Sequence, residues 1–388
     1  MATLIGPHAA VDLALPTGID GAKVLQFMLL SGLTAEEHVR RVAAAIGAVN
    51  QQIYAMYSGL LYVTDAPYAY TSQGSGERGK TPPKTEYAKP DAVRTSAIGS
   101  MLPIKDYEDA LAWTPIYMRD APVAQLTGDQ KLIADRWWNR VGFDLWTRIL
   151  TKEENAIGSG YDVPWAVGSG NNVNFIPPQY RGFDAPTSAH THFLYYDSGS
   201  YDWHDAFVGG IQQLVHHGHR SPHTIYVSYD DIDEIEAVEG FVELKPENWQ
   251  RIPVFTVNAV AADSAPAVRT APGLVEGMPG ELFGYFKTNY GYAELRWDEY
   301  MPTHFAFATK SYGQDSPSNG VALRYHPAYG GFGLRIDPRV TNSLSPELEA
   351  IYFPATFGVG INDRTNGVCM YLASGASSYP ATASISIG

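Results

Sequence analysis

Between residues 127 and 157 the chain runs without a proline and carries apolar side chains at helical spacing, and this stretch restricts the available folds more than any other. Thr127 followed by Gln130 has the form of a capping box, and Gly158, Ser159 and Gly160 mark the end. Ile133, Trp137, Val141, Leu145 and Ile149 form one stripe, whereas Asp135, Arg136, Asn139, Arg140, Asp144, Arg148 and Lys152 fall on other faces. Asp144 and Arg148 are one turn apart and can pair. At 1.5 Å per residue a helix of about 30 residues is about 45 Å long, longer than a compact small domain is wide. A plate-like subunit built along a spine helix at 127–157 is predicted.

The rest of the chain arranges itself around that spine. Thr34 and Glu37 cap a first helix over 34–57, with Val39, Val42, Ile46, Val49 and Ile53 on one face. The 33 residues before it contain Pro7 and Pro16 and read as an arm with little core of its own. From Leu61 to Ile104 short Tyr- and Val-containing runs flank a polar tip at 73–84, which reads as an extended hairpin; so long a polar excursion is normally functional or disordered. Residues 158–202 read as loop with one hairpin. A helix carrying Phe207, Ile211, Leu214 and Val215 ends at Gly218, HTIYVS at 223–228 reads as a strand, and Asp230 or Asp231 caps a helix with Ile232, Ile235 and Val238. RIPVFTVNAV at 251–260 reads as a strand before an Ala/Pro/Gly-rich loop at 263–280. The remainder is strands, ELFGYF, AELRW, THFAFA, VALRY, FGLRI, FGVGI and VCMYL, whose alternation predicts a sheet with one packed and one exposed face in an α+β chain.

Composition excludes several functions. With 27 Lys and Arg against 41 Asp and Glu, the net charge of −14 and the absence of a basic run argue against intrinsic nucleic-acid affinity. The single cysteine, Cys369, forms no intramolecular disulfide and leaves no Cys-based metal cluster, which fits cytosolic folding. No apolar run approaches the roughly 20 residues of a membrane span, and the first residues lack signal-peptide character. There is no GxSxG, no phosphate-binding GxxxxGK[ST] and no GxGxxG between strand and helix. Glu153 and Glu154 are read as neighbours on the helix, diverging by about 100° instead of facing one substrate. The acidic run Asp230, Asp231, Asp233, Glu234, Glu236 lacks EF-hand spacing. The 25 Tyr, 15 Phe and 8 Trp suit sugar stacking and subunit interfaces equally.

Histidines are the strongest catalytic candidates: His190 and His192 in SAHTHF, then His216, His217, His219 and His223 in VHHGHRSPH. Such a cluster suits zinc, but neither HExxH nor an equivalent helical pair supplies a base. The structural alternative places His216 and His217 at a helix end and the others in polar loops. The expectation is that no catalytic, cofactor or metal residue is present and that the chain is not an enzyme.

The order of elements resembles the tailed-phage major capsid protein of the Hong Kong 97 fold. The matching stretches are EENAIGSG closing the spine helix, HTIYVSYDDIDEIEAV followed by IPVF, and the closing FGVGINDRTNGVCMYL, within about residues 55–373. The resemblance implies an N-terminal arm and helix at 1–60 and an E-loop at 61–104. It implies a peripheral domain at 105–199 and 321–388, and an axial domain at 200–320 meeting its copies at a symmetry axis. It also implies assembly into hexamers and pentamers of an icosahedral shell enclosing double-stranded DNA without sequence-specific binding, in the virion after assembly in the host cytoplasm. The partners implied are a separate scaffold protein, because only about 60 residues precede the E-loop, a portal protein and, as an option, a decoration protein. Glu77, Arg78, Lys80 and Lys84 at the E-loop tip would meet a neighbouring subunit. Relatives that crosslink subunits suggest Lys80 or Lys84 with Asn362 or Asn366, but no catalytic Glu aligns and the assignment is not made. Two alternatives stand beside this: a metal-dependent hydrolase using His190, His192, His216, His217 and His219, and an encapsulin-type shell enclosing enzymes.

Overall fold

The computed structural model describes residues 35–73, 96–113, 123–154, 162–167, 190–243, 277–337, 349–383 and 385. In chain order the elements are α1 (Ala35–Tyr57), β1 (Leu61–Thr64), β2 (Tyr68–Gln73), β3 (Ser96–Met101), β4 (Lys105–Trp113), α2 (Val123–Leu150) and β5 (Phe193–Asp197). They continue with α3 (Trp203–His216), β6 (His223–Val227), α4 (Ile232–Glu236), β7 (Phe241–Glu243), β8 (Glu281–Thr288) and β9 (Gly291–Trp297). β10 (Phe305–Thr309), β11 (Val321–Tyr325), β12 (Glu349–Ile361) and β13 (Val368–Ala373) close the chain. The arm at 1–33, the strand expected at 251–260 and the loop tip at 74–95 lie outside the described residues.

The described residues divide into two compact units. In the first, residues 35–55 of α1, 123–142 of α2, the loop 324–337 and the β4–β12 ladder share a core. Val42, Ile46 and Ile53 of α1 are buried there, as are Ile133, Trp137 and Val141 of α2, so the expected apolar faces of both helices are in place. Trp137 packs against Phe332 and edge-on against Phe357, and its Nε1 donates to Asn50 Oδ1 at 3.0 Å. Asn50 also accepts from Leu334 N at 3.0 Å and donates to Leu334 O at 2.9 Å, so one amide side chain ties α1 to α2 and to the loop. That contact explains why FGLRI is not the expected strand. Gly331 and Gly333 take φ of 144° and 140°, and any Cβ at Gly333 would meet Asn50 at 2.6 Å.

The second unit holds residues 56–73, 96–103, 143–154, 162–167, 190–243, 277–323 and 359–383. Its seven-stranded sheet has the order β5-β13-β10-β6-β9-β8-β7, with β5–β13 and β6–β9 parallel and the other described ladders antiparallel. α3 packs its Phe207, Ile211 and Leu214 with Ile225, Leu295 and Met370 on one face. On the other, Trp146 near the end of α2 stands edge-on to Tyr226 and Phe307. The expected exposed face is therefore absent from the central strands, since β6 and β10 are buried along their whole length. Even Glu294 and Arg296, the polar alternates of AELRW, are buried as a pair at 3.3 Å, with Arg296 Nη1 donating to Met278 O and Gly280 O.

Four expectations shift. α2 starts at Val123, ahead of the Thr127 capping box, and stops at Leu150 instead of 157. The stop follows from Arg148, which is fully buried, is paired with Asp162, and donates to the carbonyls of Thr151 at 2.7 Å and Glu153 at 3.0 Å. Lys152 N meanwhile bonds to Ala381 O, which draws the chain out of the helix, so Glu153 and Glu154 follow the helix instead of lying on it. Residues 61–64 leave the expected hairpin, because β1 neighbours β11 and only β2 pairs with β3. Within 158–202 the described part contains β5, a strand parallel to β13 that loop composition concealed. At Asp231 the cap differs in detail: Ser228 accepts from Asp230 N, whereas Asp231 Oδ2 accepts from His304 N at 2.8 Å.

Candidate functional site

Two places in the second unit carry chemistry. The first is the β2–β3 ribbon. Its register sets Tyr68 opposite Met101, Ala69 opposite Ser100 and Tyr70 opposite Gly99. Period two sends Ala69 and Ser100 inward, where Ala69 packs with Leu102 and with Ala322 of β11. It sends Tyr68, Tyr70 and Met101 outward at 52%, 73% and 36% exposure, and the Tyr70 ring lies over Gly99, where a Cβ would come within 3.2 Å. The apolar outer stripe was missed in the sequence, although YAY at 68–70 is the signal that could have found it. Glu77, Arg78, Lys80 and Lys84, the expected contact residues, lie between these strands and outside the described residues.

The second is a histidine cluster. His190 and His192 precede β5, and an i,i+2 pair in extended chain can face one side. His217 is the residue after α3, whose N-terminus is capped by Asp202 accepting from Asp205 N. The His217 Nε2 lies 3.0 Å from His190 Nε2 and 3.0 Å from His192 Nε2, with ring centroids 4.9–5.2 Å apart. His192 is fully buried and its Nδ1 lies 2.8 Å from Gly367 O. Burial first, then the neighbouring imidazoles of His217 and His190, hold His192 well below the usual histidine range.

The other histidines do not join. His219 is buried between Tyr312 Oη at 2.8 Å and Thr365 Oγ1 at 2.9 Å, and burial lowers its pKa against the opposing pull of Asp363. His223, the first residue of β6, donates its Nε2 proton to His219 O at 2.8 Å and is pushed down to about 4 by burial. His216 closes α3, as expected for a helix end. The expectation that the remaining histidines occupy polar loops thus fails for His192, His219 and His223, because each side chain is buried against a specific acceptor or donor. Among the described residues the group of potential ligand atoms consists of His190, His192 and His217.

Asn362 and Asn366, considered for crosslinking, serve the fold. Asn366 is fully buried, accepts from Lys310 N and donates to Lys310 O and Ser318 O. Asn362 donates to Pro317 O and Asn319 O. A saturated, enclosed amide such as Asn366 offers no approach to a neighbour's lysine.

No helix among the described residues is long and apolar enough to cross a membrane. No protein-family model matches the sequence, and no curated protein matches it. A solved structure from Mycobacterium phage Patience is similar at a TM-score of 0.56 and 18% identity, over 91% of this chain and 92% of that one. The capsid of a native GTA particle is similar at a TM-score of 0.46 and 11% identity, over 83% and 91%. A virus-like particle from Pyrococcus furiosus is similar at 0.42 and 8%, over 85% and 97%. Likeness to the phage structure over nearly the full length of both chains is a likeness of fold, and it agrees with the α+β architecture of Hong Kong 97 type expected from the sequence.

Proposed function

We propose that this chain is a structural, non-enzymatic subunit of an icosahedral phage head, assembling with its own copies into hexamers and pentamers around double-stranded DNA. The observation that carries the reading is the β2–β3 ribbon. A two-stranded ribbon is marginal alone, and this one is held through its Ala69 face while Tyr68, Tyr70 and Met101 stay open. An aromatic stripe left open on such a ribbon suits a neighbouring subunit. In this reading residues 61–104 act as the E-loop, 1–60 as the arm and helix, 105–199 and 321–388 as the peripheral domain, and 200–320 as the axial domain. A scaffold protein, a portal and an optional decoration protein are its partners, and the virion is its destination. The net charge of −14 suits a wall that does not hold its genome electrostatically.

The experiment keeps both strands and replaces residues 74–95, with Glu77, Arg78, Lys80 and Lys84, by a short Gly/Ser link. Shortening a loop saves only about 0.6 kcal/mol per halving, so urea unfolding of the unassembled chain should hardly change. A standard interface buries about 800 Å² per partner, so particle yield on a sedimentation gradient, with scaffold co-expressed, should collapse. Normal yield of stable particles would remove the loop from inter-subunit contact. Nuclease-protected double-stranded DNA in particles from infected cells separates a phage head from an enzyme-enclosing shell.

A further inference from the structure

Hydrogen bonding among the three converging imidazoles cannot satisfy all three Nε2 atoms at once. The Gly367 carbonyl only accepts, so the 2.8 Å contact requires a proton on His192 Nδ1. Neutral His192 therefore presents a lone pair at Nε2. His217 Nε2 has either one proton or one lone pair, yet it lies 3.0 Å from both His192 Nε2 and His190 Nε2. A nitrogen with one proton makes one well-aligned bond to one of these neighbours; with a lone pair it faces the lone pair of His192.

We propose that His190, His192 and His217 bind one divalent transition-metal ion of the zinc type, as a structural clip within a single chain. A cation between the three Nε2 atoms would be bound by all three lone pairs at once. Zinc–nitrogen bonds of about 2.0–2.1 Å in tetrahedral geometry separate ligand nitrogens by about 3.3 Å, and the ligand atoms here lie 3.0 Å apart in two pairs and all within 4.8 Å. The Nδ1–H of His192 on the Gly367 carbonyl is the outer hydrogen bond that fixes tautomer and ring orientation in histidine metal sites. Three imidazoles select zinc, cobalt, nickel or copper over magnesium or calcium, which take oxygen ligands. His190 and His217 are half-buried, so water can complete the coordination. The ion would join the segment before β5 and the end of α3, and through His192 the turn before β13. The second group of potential ligands, Asp202, His204 and Asp205, is more open, and Asp202 Oδ1 already accepts from Asp205 N.

The site lies within one chain, so it is tested on unassembled full-length protein and does not depend on the shell reading. After chelator treatment and dialysis, the protein is titrated with Zn2+ by calorimetry and with Co2+ by visible absorption, with Mg2+ as comparison. One equivalent of Zn2+ per chain, a tetrahedral-type Co2+ band and a raised unfolding temperature with Zn2+ but not Mg2+ are expected. His190→Ala and His217→Ala should each weaken Zn2+ binding by at least about tenfold, while His216→Ala keeps the wild-type titration. Folding of each variant is checked by circular dichroism without metal, and His217→Gln, which keeps polar bulk, provides a second test. Binding well below one equivalent, or full binding retained by either ligand variant, would overturn the site.

Discussion

Replacing Arg148 with Met removes the only charge that the structure sets directly on the buried Asp162 carboxylate, among the contacts described for it. Both side chains are 0% exposed, so the carboxylate left behind has no water to turn to, and the carbonyls of Thr151 and Glu153 lose a donor each. Burial already lowers the Arg148 pKa, with Asp162 opposing, which shows how far solvation has been surrendered at this point. Removing one member of such a pair costs about 3–5 kcal/mol, and the midpoint, about 4 kcal/mol, lowers the folding constant by about three orders of magnitude. Removing both charges in Arg148→Met/Asp162→Leu should recover most of the loss, because the desolvated anion is gone. The assay is urea unfolding of the unassembled chain followed by tryptophan fluorescence. Trp165 is a local reporter, fully buried and donating from Nε1 to Ile149 O at 2.9 Å. A loss below about 1 kcal/mol for Arg148→Met, or a double variant worse than both single variants, would refute the account of the pair as a mutually dependent buried unit.

Asp298 gives a pH dependence. It is buried, its pKa is raised to about 7 chiefly by burial, with Glu299 adding and the hydrogen bond from Tyr300 N opposing, and Tyr57, Tyr226 and Tyr300 lie in its field. Between the unfolded value of about 4 and about 7 the folded chain keeps a proton that the unfolded chain has lost, so stability falls as pH rises through that window, by up to about 4 kcal/mol. Asp298→Asn should flatten this part of the profile of urea midpoint against pH and raise stability at pH 8; an unchanged slope would refute the assignment. Asn50→Ala removes all three hydrogen bonds at the α1–α2–loop junction and should cost about 1–3 kcal/mol, whereas Asn50→Asp keeps the two acceptor contacts and should cost less. Equal losses in urea unfolding would show that the acceptor oxygen is not what matters there.

Periodicity and punctuation alone determined the helices over 34–57, 127–157 and at Phe207–Val215, the strand at 223–228 and most of the late strands, since each has a local signal that its own residues supply. α1, α2, α3, β6 and β8–β13 lie on those stretches, with α2 shifted toward the N-terminus. The pairing of the two strands that flank the polar stretch 73–84 was legible in the same way, and β2 and β3 do form an antiparallel ladder. Tertiary structure decided the rest, where a residue's fate depends on a partner far along the chain. The end of α2 is set by Arg148 turning to Asp162 and by Lys152 meeting Ala381, which no capping pattern encodes. β5 exists because residues 193–197 lie beside β13, about 175 residues later. The alternation of AELRW promised one wet face, but a mixed sheet covered on both sides buried Glu294 and Arg296 together. Histidine identity was visible at once; that His190, His192 and His217 share one point while His216 and His219 do not depends on where α3 ends relative to the segment before β5, a long-range distance that spacing in sequence does not carry.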